Sequence, residues 1–493
     1  MRQGQHIFYN ALMLTAVNLL LRFVSTSFQV YVSGRIGAAG VGLLQLVMSV
    51  GALALTAGIA GIRTATMYLT AEELGKKRPQ NVVWVLSGCF LYSIICSGVL
   101  SFALSYFAPF LAENWIGDSR TVDAIRLFAG FLPVNCLCGV MIGYFTAAQR
   151  IGTLAAVEVA EQVCSMGFTM AALTLWAGTD PAKACQSMIL GSGLGSCFTL
   201  CCLIILRLKE RPPFGSRIPV SRRLLHTAVP LALADDLKSG ISTAENLMVP
   251  KRLSLYAGTE NPLAAFGMVC GMVFPVLMFP AAILFGLAEL LIPELARCAA
   301  AGSQKRIQYL AKRSLRVAML YGCLCAGLMF LLADALCLSL YGNAEAGAQL
   351  KRFALLIPML YCDAITDAMT KGLGQQKACV RYNILTSGLD VLFLYLLLPS
   401  YGMGGYFFSF LITHLLNFIL SLRRLLKIAG NVTSLPSAVI TLGCTLAAIL
   451  AGSYVASVPG RICAYLLVFG SLLTLFRVIS REDLRWLKGL LRR

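Results

Sequence analysis

Charge is what this chain has least of. Of its 493 residues, 13% are Asp, Glu, Lys or Arg and 58% are hydrophobic, where a soluble domain carries roughly 25% charged residues. That excludes a soluble globular protein. The 18 cysteines include no C-x-x-C spacing. Scattered through apolar stretches, they read as small, reduced, buried residues, with no disulfide framework and no metal site. No small-residue cleavage site precedes a polar region, and the first apolar run is too long for a leader, so no cleavable signal peptide is expected. No linker is large enough to hold a catalytic domain outside a bilayer. That argues against an integral-membrane glycosyltransferase or polymerase, and the chain is not expected to be an enzyme.

What is present is hydrocarbon. Mean hydropathy is +0.77, and apolar runs of the roughly 20 residues that cross a bilayer as helix recur from end to end. The runs predict an all-α polytopic protein with 14 transmembrane helices, at 7–33, 41–70, 82–108, 124–147, 154–176, 184–206, 224–250, 263–293, 314–337, 353–372, 380–398, 404–422, 434–456 and 462–480. An even number puts both termini on one side. The net charge is +19, and the basic residues crowd into the termini and alternate loops by roughly three to one, which by the positive-inside rule makes both termini cytoplasmic and the protein a multi-pass component of the cell membrane. The basic excess is then topology plus attraction to lipid headgroups, and no nucleic acid is implied.

The stretch from Leu231 to Leu253 stands out because it is apolar enough for a bilayer yet carries Asp235, Asp236, Lys238 and Glu245. Ionisable groups inside a span are costly and mark function by default. The end of this stretch repeats an earlier one: Val24 to Ile36 reads VSTSFQVYVSGRI and Ile241 to Leu253 reads ISTAENLMVPKRL. A second correspondence aligns Gly61 with Gly286 and Ala71 with Ala296 at one consistent offset. It leaves Glu289 within one residue of the position opposite Arg63. The repeat predicts two six-helix lobes, 1–207 and 224–428, related by a pseudo-twofold axis along the membrane normal. A polar, proline-containing cytoplasmic linker, 208–223, would join them. Two further helices, 429–480, lie outside the repeat. A tail, 481–493, puts leucines on one side and Arg and Lys elsewhere, as an interfacial amphipathic segment does.

Three cations fall inside the predicted spans: Arg22, Arg63 and Lys238. The candidate cavity acids are Asp235, Asp236, Glu245, Glu289, Asp363 and Asp367. Asp363, Asp367 and Lys371 share one helix face at a spacing of four. Glu158 and Glu161 lie near a cytoplasmic end, where solvation or pairing with Arg150 is the expectation, and Asp334 is expected to be solvated. His414 reads as an interhelical hydrogen-bonder. Gly58, Gly61 and Ala65 would let a second helix come close. Pro275, Pro280 and Pro293 would break or bend the eighth span.

In this order, residues 34–45 (GRIGAAGVGLLQ), 61–63 (GIR), 70–75 (TAEELG), 245–250 (ENLMVP) and 290–296 (LLIPELA) resemble the multidrug/oligosaccharidyl-lipid/polysaccharide (MOP) exporter superfamily. The closer resemblance is to its polysaccharide-biosynthesis branch, which includes stage V sporulation protein B-like proteins and lipid II flippases. The resemblance implies the MATE-like fold of six, six and two helices, a cavity between the lobes lined by the first, second and seventh spans, and an apolar groove for a prenyl tail at the last two. It also implies a role in peptidoglycan, other cell-wall or polysaccharide synthesis, or in sporulation. Lipid II flippases carry an Arg-Asp pair where this chain reads Ser25-Thr26, with Arg22 one turn earlier. Drug-extruding members carry a carboxylate in the first span, and this chain has none there.

The expected function is therefore a flippase or exporter of an undecaprenyl-diphosphate-linked sugar, lipid II or another lipid-linked oligosaccharide, working by alternating access. Arg22, Arg63 and Lys238 would form the substrate-binding cationic cavity, since a diphosphate must cross hydrocarbon beside cations. The acids would set the cavity's shape or bind a coupling ion. No cofactor is expected beyond coupling Na⁺ or H⁺, and the protein is expected to be a monomer among membrane lipids. The alternative is an ion-coupled multidrug exporter of MATE type, which would need an acidic cavity.

Overall fold

The computed structural model describes residues 2–59, 61–76, 78–177, 180–209, 221–430 and 435–478. Among the described residues there is no strand. In hydrocarbon a backbone N–H or C=O has no water to bond, so a chain this apolar satisfies its backbone internally, as helix. The helices are α1 (Arg2–Ile59), α2 (Ile62–Gly75), α3 (Val82–Tyr106), α4 (Val122–Ala147), α5 (Ile151–Ala172), α6 (Pro181–Lys209), α7 (Ser221–Leu253) and α8 (Pro262–Met268), followed by α9 (Ala281–Ala300), α10 (Gln304–Tyr341), α11 (Ala344–Ala354), α12 (Ile357–Gly372), α13 (Gln376–Ala429), α14 (Leu435–Ser453) and α15 (Val458–Leu475).

Eight described helices are long and apolar enough to cross a membrane, or ten if each of two bent pairs is one span. Four of the predicted spans are fused in pairs. Gly37 in α1 (φ 68°, ψ 176°) and Gly402 in α13 (φ 56°, ψ −136°) each join two helices through a conformation that no helix contains. Two predicted spans, at α5 and α7, are helical but are not among those apolar enough to cross by composition. They carry Glu158 and Glu161, and Asp235, Asp236, Lys238 and Glu245. The chain's polar helices are thus the ones that hold its chemistry.

Proline acts less often than its count suggests. The eighth predicted span bends by 63° at Phe279–Pro280. Pro275 lies inside the continuous helical stretch Pro262–Met278, directly after the wide turn at 269–273, and Pro293 lies inside α9 without breaking it. The tenth predicted span, 353–372, is α12 with the end of α11, a shorter helix that precedes it at a bend of 56°.

Packing divides the chain into two compact units, Met1–Gly271 and Met272–Arg493. The sequence linker at 208–223, of which 210–220 fall outside the described residues, is not where packing divides: α7 packs with the first unit, against α1 and α2. The core of that unit gathers Ile62, Ala65 and Leu69 of α2 with Val85 and Cys89 of α3, Met141 and Phe145 of α4, and Ala228 of α7. In the second unit α14 and α15 dock on α10. There the Tyr465 hydroxyl donates to the Cys323 carbonyl at 2.8 Å. The amphipathic tail at 481–493 lies outside the described residues.

Candidate functional site

The site of the first unit is built around a broken helix. Between α1 and α2 the backbone of Gly61 turns left-handed (φ 71°, ψ 4°), a conformation that costs a residue with a Cβ about 1–2 kcal/mol. A Cβ there would also overlap the carbonyl oxygen of Ala228, so only glycine lets α7 come this close. On the other side of α2, a Cβ at Gly143 of α4 would stand 2.5 Å from the Arg63 carbonyl oxygen. Glycines thus hold α2 between α4 and α7, with Arg63 two residues past the break.

A cavity of about 460 Å³ opens at this break. Its walls include Thr56 and Ile59 at the end of α1 and Gly61, Arg63 and Thr64 at the start of α2. Asp235, Lys238, Ser239 and Ser242 of α7 complete it. The four α7 residues sit at i, i+3, i+4 and i+7, one face of a helix. Thr56 and Ser239 share a hydroxyl hydrogen bond of 3.3 Å across the cavity rim. Arg63, Asp235 and Lys238 are all solvent-exposed within it. Among the described residues none of the three forms an ion pair. The walls therefore present two cations, one carboxylate and several hydroxyls.

Of the nine residues singled out from the sequence, the structure brings Arg63, Lys238 and Asp235 together. Arg22 is half-buried in α1, before the Gly37 break, and does not line this cavity. Asp236 is turned away from Asp235 by the 100° step of the helix. Its Oδ1 is buried without a hydrogen bond, and it lies within the electrostatic reach of Tyr92 on α3. Glu245 is half-buried two turns beyond Lys238 and is not part of the wall.

The remaining three acids belong to the second unit. Glu289 is exposed on α9. Asp363 accepts both of its hydrogen bonds from Asn417 Nδ2, at 3.2 and 3.1 Å, and Asp367 pairs with Lys371 at 2.6 Å. Asp390 accepts from Ser409 at 2.6 Å and Thr413 at 3.1 Å. His414 corrects an expectation: it bonds the Phe410 carbonyl of its own helix at 3.0 Å and stacks on the Phe410 ring, so it bridges no helices through that contact. Asp334 is paired with Lys351 rather than merely solvated.

Sequence reasoning expected Glu158 and Glu161 to be solvated or paired with Arg150. Glu161 accepts a 2.7 Å hydrogen bond from Thr199 of α6. The Glu158 carboxylate lies in the field of Arg63 first and of Glu161 second. No local motif marks them; only the packing of α5 reveals the relationship. The wall hydroxyls Thr56, Ser239 and Ser242 were also missed as such, though the i+4 and i+7 spacing of Ser239 and Ser242 from Asp235 was there to find.

Comparison with known proteins agrees with this fold. The MatE family profile matches residues 15–171. The chain is 23% identical over 502 aligned positions to stage V sporulation protein B of Bacillus subtilis (strain 168), covering 96% of each. Among solved structures, it superposes with a TM-score of 0.67 on an inward-facing multidrug resistance MATE family transporter of the MOP superfamily, at 13% identity over 84% of this chain and 98% of that one. It superposes at 0.66 on the lipid II flippase MurJ in an inward closed conformation, at 12% identity over 94% of this chain and 98% of that one. The resemblance carried by residues 34–45, 61–63, 70–75, 245–250 and 290–296 stands. The chain has the MOP fold, is a multi-pass membrane protein, and is similar from end to end to a stage V sporulation protein B.

Proposed function

We propose that this MOP-fold transporter flips an undecaprenyl-diphosphate-linked sugar, such as lipid II or another lipid-linked oligosaccharide, by alternating access between the two copies of its repeat. The observation that carries this reading is the wall of the α2–α7 cavity, where Arg63 and Lys238, in no ion pair among the described residues, share the lining with a single carboxylate. A diphosphate is the head that such a wall suits. Arg63 offers a planar fork for two phosphate oxygens and Lys238 a point charge opposite. Thr56, Thr64, Ser239 and Ser242 add donors for the remaining oxygens or the sugar. The proposed topology has both termini in the cytoplasm, and a Na⁺ or H⁺ gradient would drive the cycle through the acids of the second unit.

Native mass spectrometry of the purified protein with lipid II, undecaprenyl phosphate and a cationic dye tests the substrate class. The expected result is retention of lipid II in preference to the other two, abolished in the Arg63→Ala/Lys238→Ala variant. Retention of the dye and not of lipid II would transfer the cavity to a multidrug exporter.

A further inference from the structure

The offset that aligns Gly61 with Gly286 also aligns Gly42 with Gly267 and Ala38 with Leu263. In the first unit these four residues meet. A Cβ on Gly42 would overlap the Leu263 carbonyl oxygen, and a Cβ on Gly267 would overlap the Ala38 carbonyl oxygen. The contact is reciprocal: each glycine presses on the repeat mate of the residue that the other glycine presses on, as a contact across a twofold axis must. The helix of residues 38–59 and α8 cross here backbone to backbone. One turn on, a Cβ at Gly271 would overlap the Val41 side chain. Residues 269–273 form a wide helical turn in place of a regular α turn, and the Gly271 carbonyl accepts from Gln29 Nε2 at 3.1 Å.

Between this crossing and the cavity the two repeat copies are tied by buried polar contacts. Thr243 Oγ1 donates to the Ser49 carbonyl at 3.0 Å, and Asn246 Nδ2 donates to Ser49 Oγ at 2.9 Å. Ser49 and Thr243 are both buried. From Gly42 to the cavity rim at Thr56 is 14 residues of helix, about 21 Å. Between the cavity and the Gly37 end thus stand these polar contacts and the glycine crossing.

We infer that the Gly42–Gly267 crossing is the closed gate of the transporter, seated on its pseudo-twofold axis, and that it must part for the cavity to reach the membrane face at the Gly37 end. This rests on the alternating-access reading above, though not on the identity of the substrate. Glycine serves a gate here because backbone contact fits only one way: closed, the helices touch along their main chains, and once apart they leave no side chains to interlock.

Lys238, exposed in the cavity, is a built-in reporter of sidedness. An impermeant amine-reactive reagent would be applied to sealed vesicles of each orientation, and modification of Lys238 read by peptide mass spectrometry. In the unaltered protein Lys238 should react from the face bearing the termini and be protected from the other. In Gly267→Leu the accessible side should switch, labelling from the Gly37 face rising about tenfold as the closed population is emptied. Gly271→Ala should move the balance the same way by less, and Val41→Ala/Gly271→Ala, which clears the overlap, should restore the original sidedness. Gly271→Ala keeps the test decisive if Gly267→Leu does not fold. Labelling in Gly271→Ala with unchanged sidedness, or labelling of the unaltered protein from the Gly37 face, would overturn the gate. No ligand is used, so a gate that fails leaves the diphosphate reading standing, and failure to bind lipid II leaves the gate standing.

Discussion

Gly61 and Ala228 touch where only a hydrogen fits: the glycine's α-carbon faces the alanine's carbonyl oxygen, and the start of α2 rests on α7 through that contact. The cavity exists because of it, since the same break that turns the chain at Gly61 sets Arg63 opposite Lys238.

Gly61→Ala therefore combines a left-handed backbone with a steric overlap. It should lower stability by about 1–3 kcal/mol, read as a lower thermal midpoint in detergent, and weaken headgroup binding by moving Arg63. A variant as stable as the original, with unchanged binding, would mean that the break does not shape the cavity.

The pairing of half-buried Asp363 with buried Asn417 gives a second expectation. Removing the amide in Asn417→Ala strips the Asp363 carboxylate of both hydrogen bonds that the structure gives it, which should cost about 1–3 kcal/mol. Asp363→Asn in the Asn417→Ala background should recover part of the loss, because a neutral amide is cheaper to bury than an unsatisfied charge. Thermal midpoints of the three variants decide it; no recovery in the double variant would show that charge is not what makes the site costly.

These placements show what the sequence could and could not reveal. The class was legible because the bilayer imposes it: 58% hydrophobic residues in runs of span length leave a helical membrane protein as the only outlet for the backbone. Two helix breaks were legible as well, since the predicted spans part between 33 and 41, where Gly37 lies, and between 398 and 404, where Gly402 lies; the break at Gly61 was not, because it sits inside the apolar run at 41–70, which reads the same whether a glycine is helical or left-handed. Asp235 and Asp236 looked equivalent from composition, and the 100° helical step separates the one on the cavity wall from the one behind it. Arg22 and Arg63 looked like one cluster on span number alone, and packing placed only Arg63 at the wall.

The docking of the last two helices rests on one tyrosine. Gly327 of α10 lies against the Tyr465 ring so tightly that a Cβ would overlap it. Tyr465→Phe should cost about 1 kcal/mol through the lost bond to Cys323. Gly327→Ala should cost more, by driving the ring out of its seat. Hydrogen exchange should speed up in α14 and α15 in the second variant; exchange unchanged there would contradict this packing.

The loop at Asp118 carries a pH dependence. Hydrogen bonding from Arg120 holds the Asp118 carboxyl below the ordinary carboxylate range, and the same side chain caps the turn at Ser119–Thr121. A depressed carboxyl stabilises above its unfolded pKa, about 3.9, and that contribution is lost as pH falls through the lower folded value. Asp118→Asn should therefore lower stability at pH 7 by about 1 kcal/mol or less, because Arg120 is largely exposed, and this is read as a lower thermal midpoint. The two proteins should converge toward pH 2. A difference that persists at low pH would assign the effect to shape rather than charge.

The central claim is that Arg63 and Lys238 hold an anionic head against the α7 wall. Its most direct test is the affinity for lipid II of the unaltered protein, Arg63→Ala, Lys238→Ala and Asp235→Asn, measured in one detergent at two salt concentrations. Loss of either cation should weaken binding about tenfold or more, with the deficit smaller at high salt. Loss of the carboxylate should leave binding equal or tighter. Equal affinity in all three cation-bearing and cation-lacking forms, or weakening by Asp235→Asn alone, would contradict the account.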